Sequence, residues 1–219
     1  MLLLYSCEDF SFHNGIKEGR IEYSISYPDI PEDSYILDLM PKTMKTTFSN
    51  NNYRNDIIAG MGLFKTSIIC HNNSDELIHS VKMLNKKYAS KLTSEDLDKF
   101  NPEFNNIEIK LTDKKKEIAG YHCKNANITV IGDSTWTFEL YYTEEIIIKN
   151  ANIHTPFKSI KGVLMEYELT SYDMHMHFIV EKVIQEEVDL AKIELEDGYE
   201  MIAPSALKEQ IESIFSKVR

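Results

Sequence analysis

His175 and His177 stand two residues apart in Met174-His175-Met176-His177-Phe178, where apolar and polar residues alternate. On a strand both imidazoles project to one face, ~6.6 Å apart at ~3.3 Å per residue. Such a pair binds Zn²⁺ when a third ligand converges on it. His79 and His154 are the candidates for that ligand, and nothing in the sequence places them. The same spacing sets Glu166 and Glu168 on one face, inside the ~6.5–9.5 Å separation of an inverting glycosidase pair. A general acid of that kind needs burial to raise its pKa. Alternation instead puts both glutamates opposite the apolar side of their strand, as it does the two histidines. Both pairs are therefore read as polar strand faces. No catalytic residue and no cofactor is assigned, and His175 and His177 are kept as candidate metal ligands.

Ile128-Thr129-Val130-Ile131-Gly132-Asp133-Ser134 resembles the strand followed by Gly-Asp-Ser of SGNH esterases, in which the serine is the nucleophile. That serine needs a base oriented by a carboxylate, and donors for the oxyanion. Downstream there is no Gly-x-Asn-Asp, and Asp173-Met174-His175 has the wrong spacing for the family's Asp-x-x-His. Trp136–Tyr142 alternates as a strand, where the esterase needs a helix. Gly132-Asp133 reads better as a hairpin turn. Gly60-Met61-Gly62 lacks the further glycine and helix start of a phosphate loop and reads as a turn or bulge.

The more informative set is apolar. Trp136, Phe138 and Leu140 alternate with polar residues, as do Met165 and then Met174, Met176 and Phe178. Methionine fills irregular apolar space and also serves adaptable binding surfaces. These seven residues are therefore either ordinary core or the lining for an acyl chain or other apolar ligand.

The elements that carry them have a period of two. Ile21, Tyr23, Ile25 and Tyr27 alternate with Glu22, Ser24 and Ser26 before Pro28. Residues 77–83, 107–111, 136–142, 163–169 and 174–180 repeat the pattern. Further short strands are expected over 43–48, 63–70, 118–131 and 192–195. Thr93 or Ser94 can cap a short helix that ends before Pro102. A C-terminal helix starts at Pro204-Ser205, with Leu207, Ile211, Ile214, Phe215 and Val218 on one stripe. The expected fold is mainly β: about ten strands in a large curved antiparallel sheet, with that helix packed on one side. Residues 20–219 are read as a single domain, preceded by a signal remnant and tether over 1–19, polar from Glu8 on.

Composition narrows the partners. With 24 basic and 35 acidic residues the net charge is −11, which argues against nucleic acid and against a polybasic membrane-surface helix. No apolar run approaches the ~18 residues of a membrane span. Met1-Leu2-Leu3-Leu4-Tyr5-Ser6-Cys7 resembles the lipobox of bacterial lipoprotein signals, where a leucine three residues ahead and a small residue just before mark the cysteine. That resemblance implies diacylglycerol on Cys7 and a lipid anchor in the cell envelope, at the outer membrane or in the periplasm. The alternative is a short strand with a buried Cys7. Cys70 and Cys123 are either paired in an oxidising compartment or buried free thiols.

Lys116-Glu117-Ile118-Ala119-Gly120-Tyr121-His122-Cys123-Lys124-Asn125-Ala126, then Tyr141-Tyr142-Thr143-Glu144-Glu145-Ile146, then Ile160-Lys161-Gly162-Val163-Leu164-Met165-Glu166-Tyr167, are similar in order and spacing to the GLPGLI family of Bacteroidetes. The third segment lacks the proline and second glycine of Gly-Leu-Pro-Gly, which makes the chain a sister of that group. The resemblance implies a fold like that of the lipoprotein carriers LolA and LolB: an open, strongly curved half-barrel with an apolar concave face. It supplies no catalytic residues. The expected function is non-enzymatic binding of a lipid or acyl chain in that cavity. The alternatives are an envelope module that docks a protein partner without a cavity and, third, a hydrolase or metal-dependent enzyme.

Overall fold

The computed structural model describes residues 15–71, 74–101, 106–132, 135–172 and 174–215. Twelve strands form one open, curved sheet in the order β12-β6-β5-β4-β3-β2-β1-β11-β10-β9-β8-β7. Two antiparallel meanders build it. The first is β1 (Glu18–Ser26), β2 (Thr43–Ser49), β3 (Asn52–Ala59), β4 (Phe64–Cys70), β5 (Glu76–Met83) and β6 (Lys86–Thr93). The second is β7 (Ile107–Ile118), β8 (Tyr121–Val130), β9 (Trp136–Thr143), β10 (Val163–Ser171) and β11 (Met174–Ile184). They join where β1 pairs with β11, and the two-residue β12 (Glu200–Met201) adds to β6 in parallel.

The β6–β7 connection dictates the curvature. In strand order β6 and β7 are ten spacings apart, about 48 Å in a flat sheet at ~4.8 Å per spacing. Only residues 94–106 join them, and 94–100 are the helix α1 (Ser94–Phe100). Seven helical residues rise about 10 Å, and the remaining steps reach about 25 Å at full stretch. A flat sheet is therefore out of reach, and its two ends must bend toward each other.

Local chemistry accounts for the elements. In β1, Ile21, Tyr23 and Ile25 are buried while their neighbours are half-exposed. Thr93 caps α1: it accepts from the Asp96 N–H, and the Asp96 carboxylate accepts from the Thr93 N–H, a reciprocal capping box. The second helix, α2 (Pro204–Phe215), buries Leu207 and Ile211 and packs against β6.

Three departures from the sequence expectation have physical causes. Residues 118–131 are not one strand. Ala119 and Gly120 adopt φ of +51° and +85° and reverse the chain in a two-residue turn between β7 and β8. The expected strand over 192–195 is replaced by a 3₁₀ turn at Leu190–Lys192 and an irregular segment laid over the sheet. β3 and β6 were not expected. β3 alternates Tyr53, Asn55 and Ile57 with Arg54, Asp56 and Ile58, so each face mixes polar and apolar groups and the binary pattern disappears.

The core divides by face. Inward side chains of β1–β6, β11 and α2 form the largest cluster. Ala126, Ile128, Phe138, Leu140 and Tyr142 form a second one with Phe157, Ile160 and Leu164 from the β9–β10 connection and the start of β10. On the outer face Ile69 packs with Val188 and Ile193 of the segment following β11.

Candidate functional site

The concave face of the sheet is hollow. A cavity of about 230 Å³ lies between β2–β6 and β10–β11 on one side and α1, α2 and the β9–β10 connection on the other. An engineered cavity of about 150 Å³ admits benzene, so this space is ample for a small apolar guest. Met44, Ile57, Phe64, Leu77 and Leu92 line it from the first meander. Leu97 and Phe100 of α1, Ile211 of α2, and Ala151, Pro156 and Phe157 of the long connection close over it. Tyr53 on β3 donates its hydroxyl to the Ala151 carbonyl at 2.9 Å, which ties that connection across to a strand of the other meander. Burial holds the Tyr53 phenol well above its usual range, so it stays a donor.

The apolar residues singled out by alternation separate into three groups. Met174, Met176 and Phe178 of β11 line the cavity, with Phe178 stacked on Tyr167 at 4.8 Å. Trp136 and Phe138 stack at 5.0 Å and line a separate cleft of only about 30 Å³, space for a water molecule at most. Leu140 and Met165 are 0% exposed and act as packing. The placement of Met165 follows from a bulge. Leu164 pairs with Tyr142 but Glu166 pairs with Tyr141, so Met165 is an extra residue on β10. The phase shifts there, and Leu164, Tyr167, Leu169 and Ser171 are the described β10 residues that reach the cavity.

Of the polar groups of the cavity the sequence marked only His79 and His154, as candidate third metal ligands, and both line the cavity, away from His175 and His177 on the outer face of β11. His79 lies on β5, with its Nε2 2.8 Å from Thr66 Oγ1 on β4. The part of its ring left uncovered faces the cavity rather than bulk water, so burial pushes its imidazole down to about 4 and it stays neutral. Asn55 on β3 accepts from the Thr46 hydroxyl at 2.8 Å. His154, on the β9–β10 connection, buries its Nδ1 with no hydrogen-bond partner among the described residues, and desolvation lowers its pKa as well. Among the described residues no lysine, arginine, aspartate or glutamate lines the cavity.

His175 and His177 do lie side by side on the outer face of β11, but carboxylates occupy them. His175 sits between Glu168 (Nε2 to Oε2, 2.7 Å) and Asp29 (Nδ1 to Oδ2, 3.2 Å), against the edge of Trp136. His177 Nε2 lies 3.4 Å from Glu166, which also takes Lys116 at 2.5 Å. Glu166 is thus in a cross-strand ion pair with Lys116, and Glu168 in a cross-strand hydrogen bond with His175. Among the described residues no group of three or more His, Cys, Asp or Glu is arranged to hold a metal. Cys70 and Cys123 are buried free thiols on β4 and β8; burial pushes Cys70 up to about 12 and Cys123 up to about 11, which leaves both unreactive. Cys7, Asp133 and Ser134 lie outside the described residues.

A second polar cluster, on the outer face, was not foreseen. Arg54 is 2% exposed and donates to Asp56 at 2.8 Å, to Glu196 at 2.9 and 3.0 Å, and to the Glu194 carbonyl at 2.7 Å. Burial alone would raise the Asp56 carboxyl. The Ser67 hydroxyl and the Arg54 guanidinium outweigh it and hold that carboxyl below the usual carboxylate range. The cluster clamps the segment after β11 onto β3 and β4, directly behind the cavity.

No curated protein matches the chain. Among solved structures, that of PNGF-II is similar, with a TM-score of 0.51 and 14% identity over 88% of this chain and 32% of the other. The chain thus spans about a third of the PNGF-II chain (32%), and the likeness is one of fold alone. Residues 34–155 match the model of a family described as a domain of unknown function, DUF4412, and the chain belongs to that family.

Proposed function

We propose that this protein binds a small apolar ligand in the hollow of its curved sheet and does no chemistry on it. The observation that carries this reading is the cavity itself: about 230 Å³, walled by Met176, Phe178, Phe64 and Leu92, with no charged side chain lining it among the described residues. Native interiors are packed close to crystal density, so a void of this size in a core is unusual unless something fills it. The lipobox resemblance at Cys7 and the likeness to LolA/LolB-type carriers support a place in the cell envelope, held by a lipid anchor. Among the described residues no helix is long and apolar enough to cross a membrane. The interaction-module reading requires no cavity, and the hydrolase or metal-dependent reading has no assembled donor set behind it among the described residues.

The test is a titration of the full chain with a neutral fluorescent naphthylamine probe. One saturable site is expected in the wild type. Met176→Trp puts an indole into the space and is expected to weaken binding at least tenfold. Equal probe binding by a folded Met176→Trp variant would remove the cavity as the site. The anchor is tested separately, by the mass of the Cys7 peptide in protein extracted from its native envelope.

A further inference from the structure

Three polar side chains stand together on the cavity floor. Asn55 on β3 pairs in register with Ile68 on β4, which pairs with His79 on β5. Thr66, two residues from Ile68, shares its face. Asn55 and His79 are thus two strands apart in one row, about 10 Å at ~4.8 Å per strand. Each is half satisfied. Asn55 commits one end of its amide to Thr46, and the other end has no partner among the described residues. His79 engages Thr66 through Nε2, and its Nδ1 has no partner among the described residues. Thr66 also lies 3.3 Å from the Ser80 carbonyl, so the hydroxyl and the imidazole set each other's donor and acceptor roles. Polar groups are expensive to cover without a partner, and Asn55 and His79 line the cavity, where a guest would cover them.

We infer that the guest is an uncharged amphiphile, an apolar chain ending in a hydroxyl or carbonyl oxygen that hydrogen-bonds the Asn55–Thr66–His79 row. The inference rests on the binding reading above and adds the chemical class of ligand. A carboxylate or phosphate head finds no cation along the walls among the described residues, and a pure hydrocarbon leaves the row unpaired. At that separation one oxygen reaches only one of the two, so a neutral oxygen meets either the free amide end of Asn55 or the free Nδ1 of His79, while the chain runs along Met176 and Phe178.

The experiment measures the affinity of the full chain for hexane, hexan-1-ol and hexanoate at pH 7.5, with wild type and the variants His79→Leu and Asn55→Leu. Water solvates the alcohol better than the alkane, so the informative quantity is the ratio of the two affinities, compared between proteins. One of the two leucine variants, the one that removes the group the oxygen bonds, is expected to shift that ratio about tenfold toward hexane, the equivalent of one lost hydrogen bond. Thr66→Val, which keeps the side-chain volume, is expected to move it in the same direction and stands in if a leucine variant does not fold. Hexanoate is expected to bind more weakly than the alcohol. A ratio that stays the same in every folded variant overturns the inference and leaves the binding reading standing, as does hexanoate binding tightest. If none of the three binds wild type, the binding reading falls and the inference falls with it.

Discussion

Arg54 and His79 mark the two sides of β3–β5, and each makes a distinct prediction. Arg54 faces outward yet is buried among Asp56, Ser67, Glu194 and Glu196. Breaking a buried ion pair by removing one partner is costly because the other charge stays behind. Arg54→Met should therefore lower stability by about 3 kcal/mol, read as a shift of the urea midpoint at constant slope. His79 makes a pH-dependent claim. Its imidazole ionises near 4 in the folded state and at its ordinary value of 6.5 when unfolded. The unfolded chain therefore binds the proton first, and stability is lost as pH falls from 6.5 toward 4. At pH 4.5 that loss is roughly 2–3 kcal/mol relative to pH 7.5. A His79→Leu variant should show a correspondingly shallower acid dependence of its melting temperature. Arg54 was not visible as special in the sequence, and His79 was marked only as a candidate metal ligand. Arg54-Asn55-Asp56 looks like a solvated stretch because the groups that bury it, at 194–196, lie some 140 residues further on.

The strands were the legible part, and turns and bulges decided where the legibility stopped. β1, β9 and β11 alternate cleanly because one side of each meets the core, and the capping box of α1 is written in Thr93 and Asp96. The β7–β8 turn was missed because it uses Ala119 at φ +51°, where asparagine or glycine is the usual signal. Ala119→Asn should then relieve that strain and stabilise the fold by about 0.5–1 kcal/mol, seen as a higher melting temperature. The Met165 bulge was missed because both Leu164 and Met165 are apolar, so either phase satisfies the pattern. Gly162, just ahead of it, has φ +125°, and a Cβ there would lie 2.4 Å from the Thr143 carbonyl oxygen. Gly162→Ala should cost more than ~2 kcal/mol and uncouple β9 from β10, measured by amide exchange along Val163–Glu166.

The whole molecule is a sheet too wide for its own β6–β7 connection, and the resulting bend is what makes room for a guest. The curved-sheet architecture followed from the number of alternating segments. That the bend leaves a hollow lined by Met174, Met176 and Phe178 could be anticipated only in part, since Leu140 and Met165 have the same sequence character and turn out to be packing. The polar row of Asn55, Thr66 and His79 depends on register between strands, which no single segment encodes. The account stands or falls on occupancy of that hollow. The direct measurement is mass spectrometry of protein purified without detergent from its native cells, first intact under non-denaturing conditions and then after organic extraction. The expected result is one added mass per chain, released on extraction as an uncharged molecule with an apolar chain, and absent from Met176→Trp. A bare polypeptide mass from the wild type, with nothing extracted above the level of the variant, would contradict it.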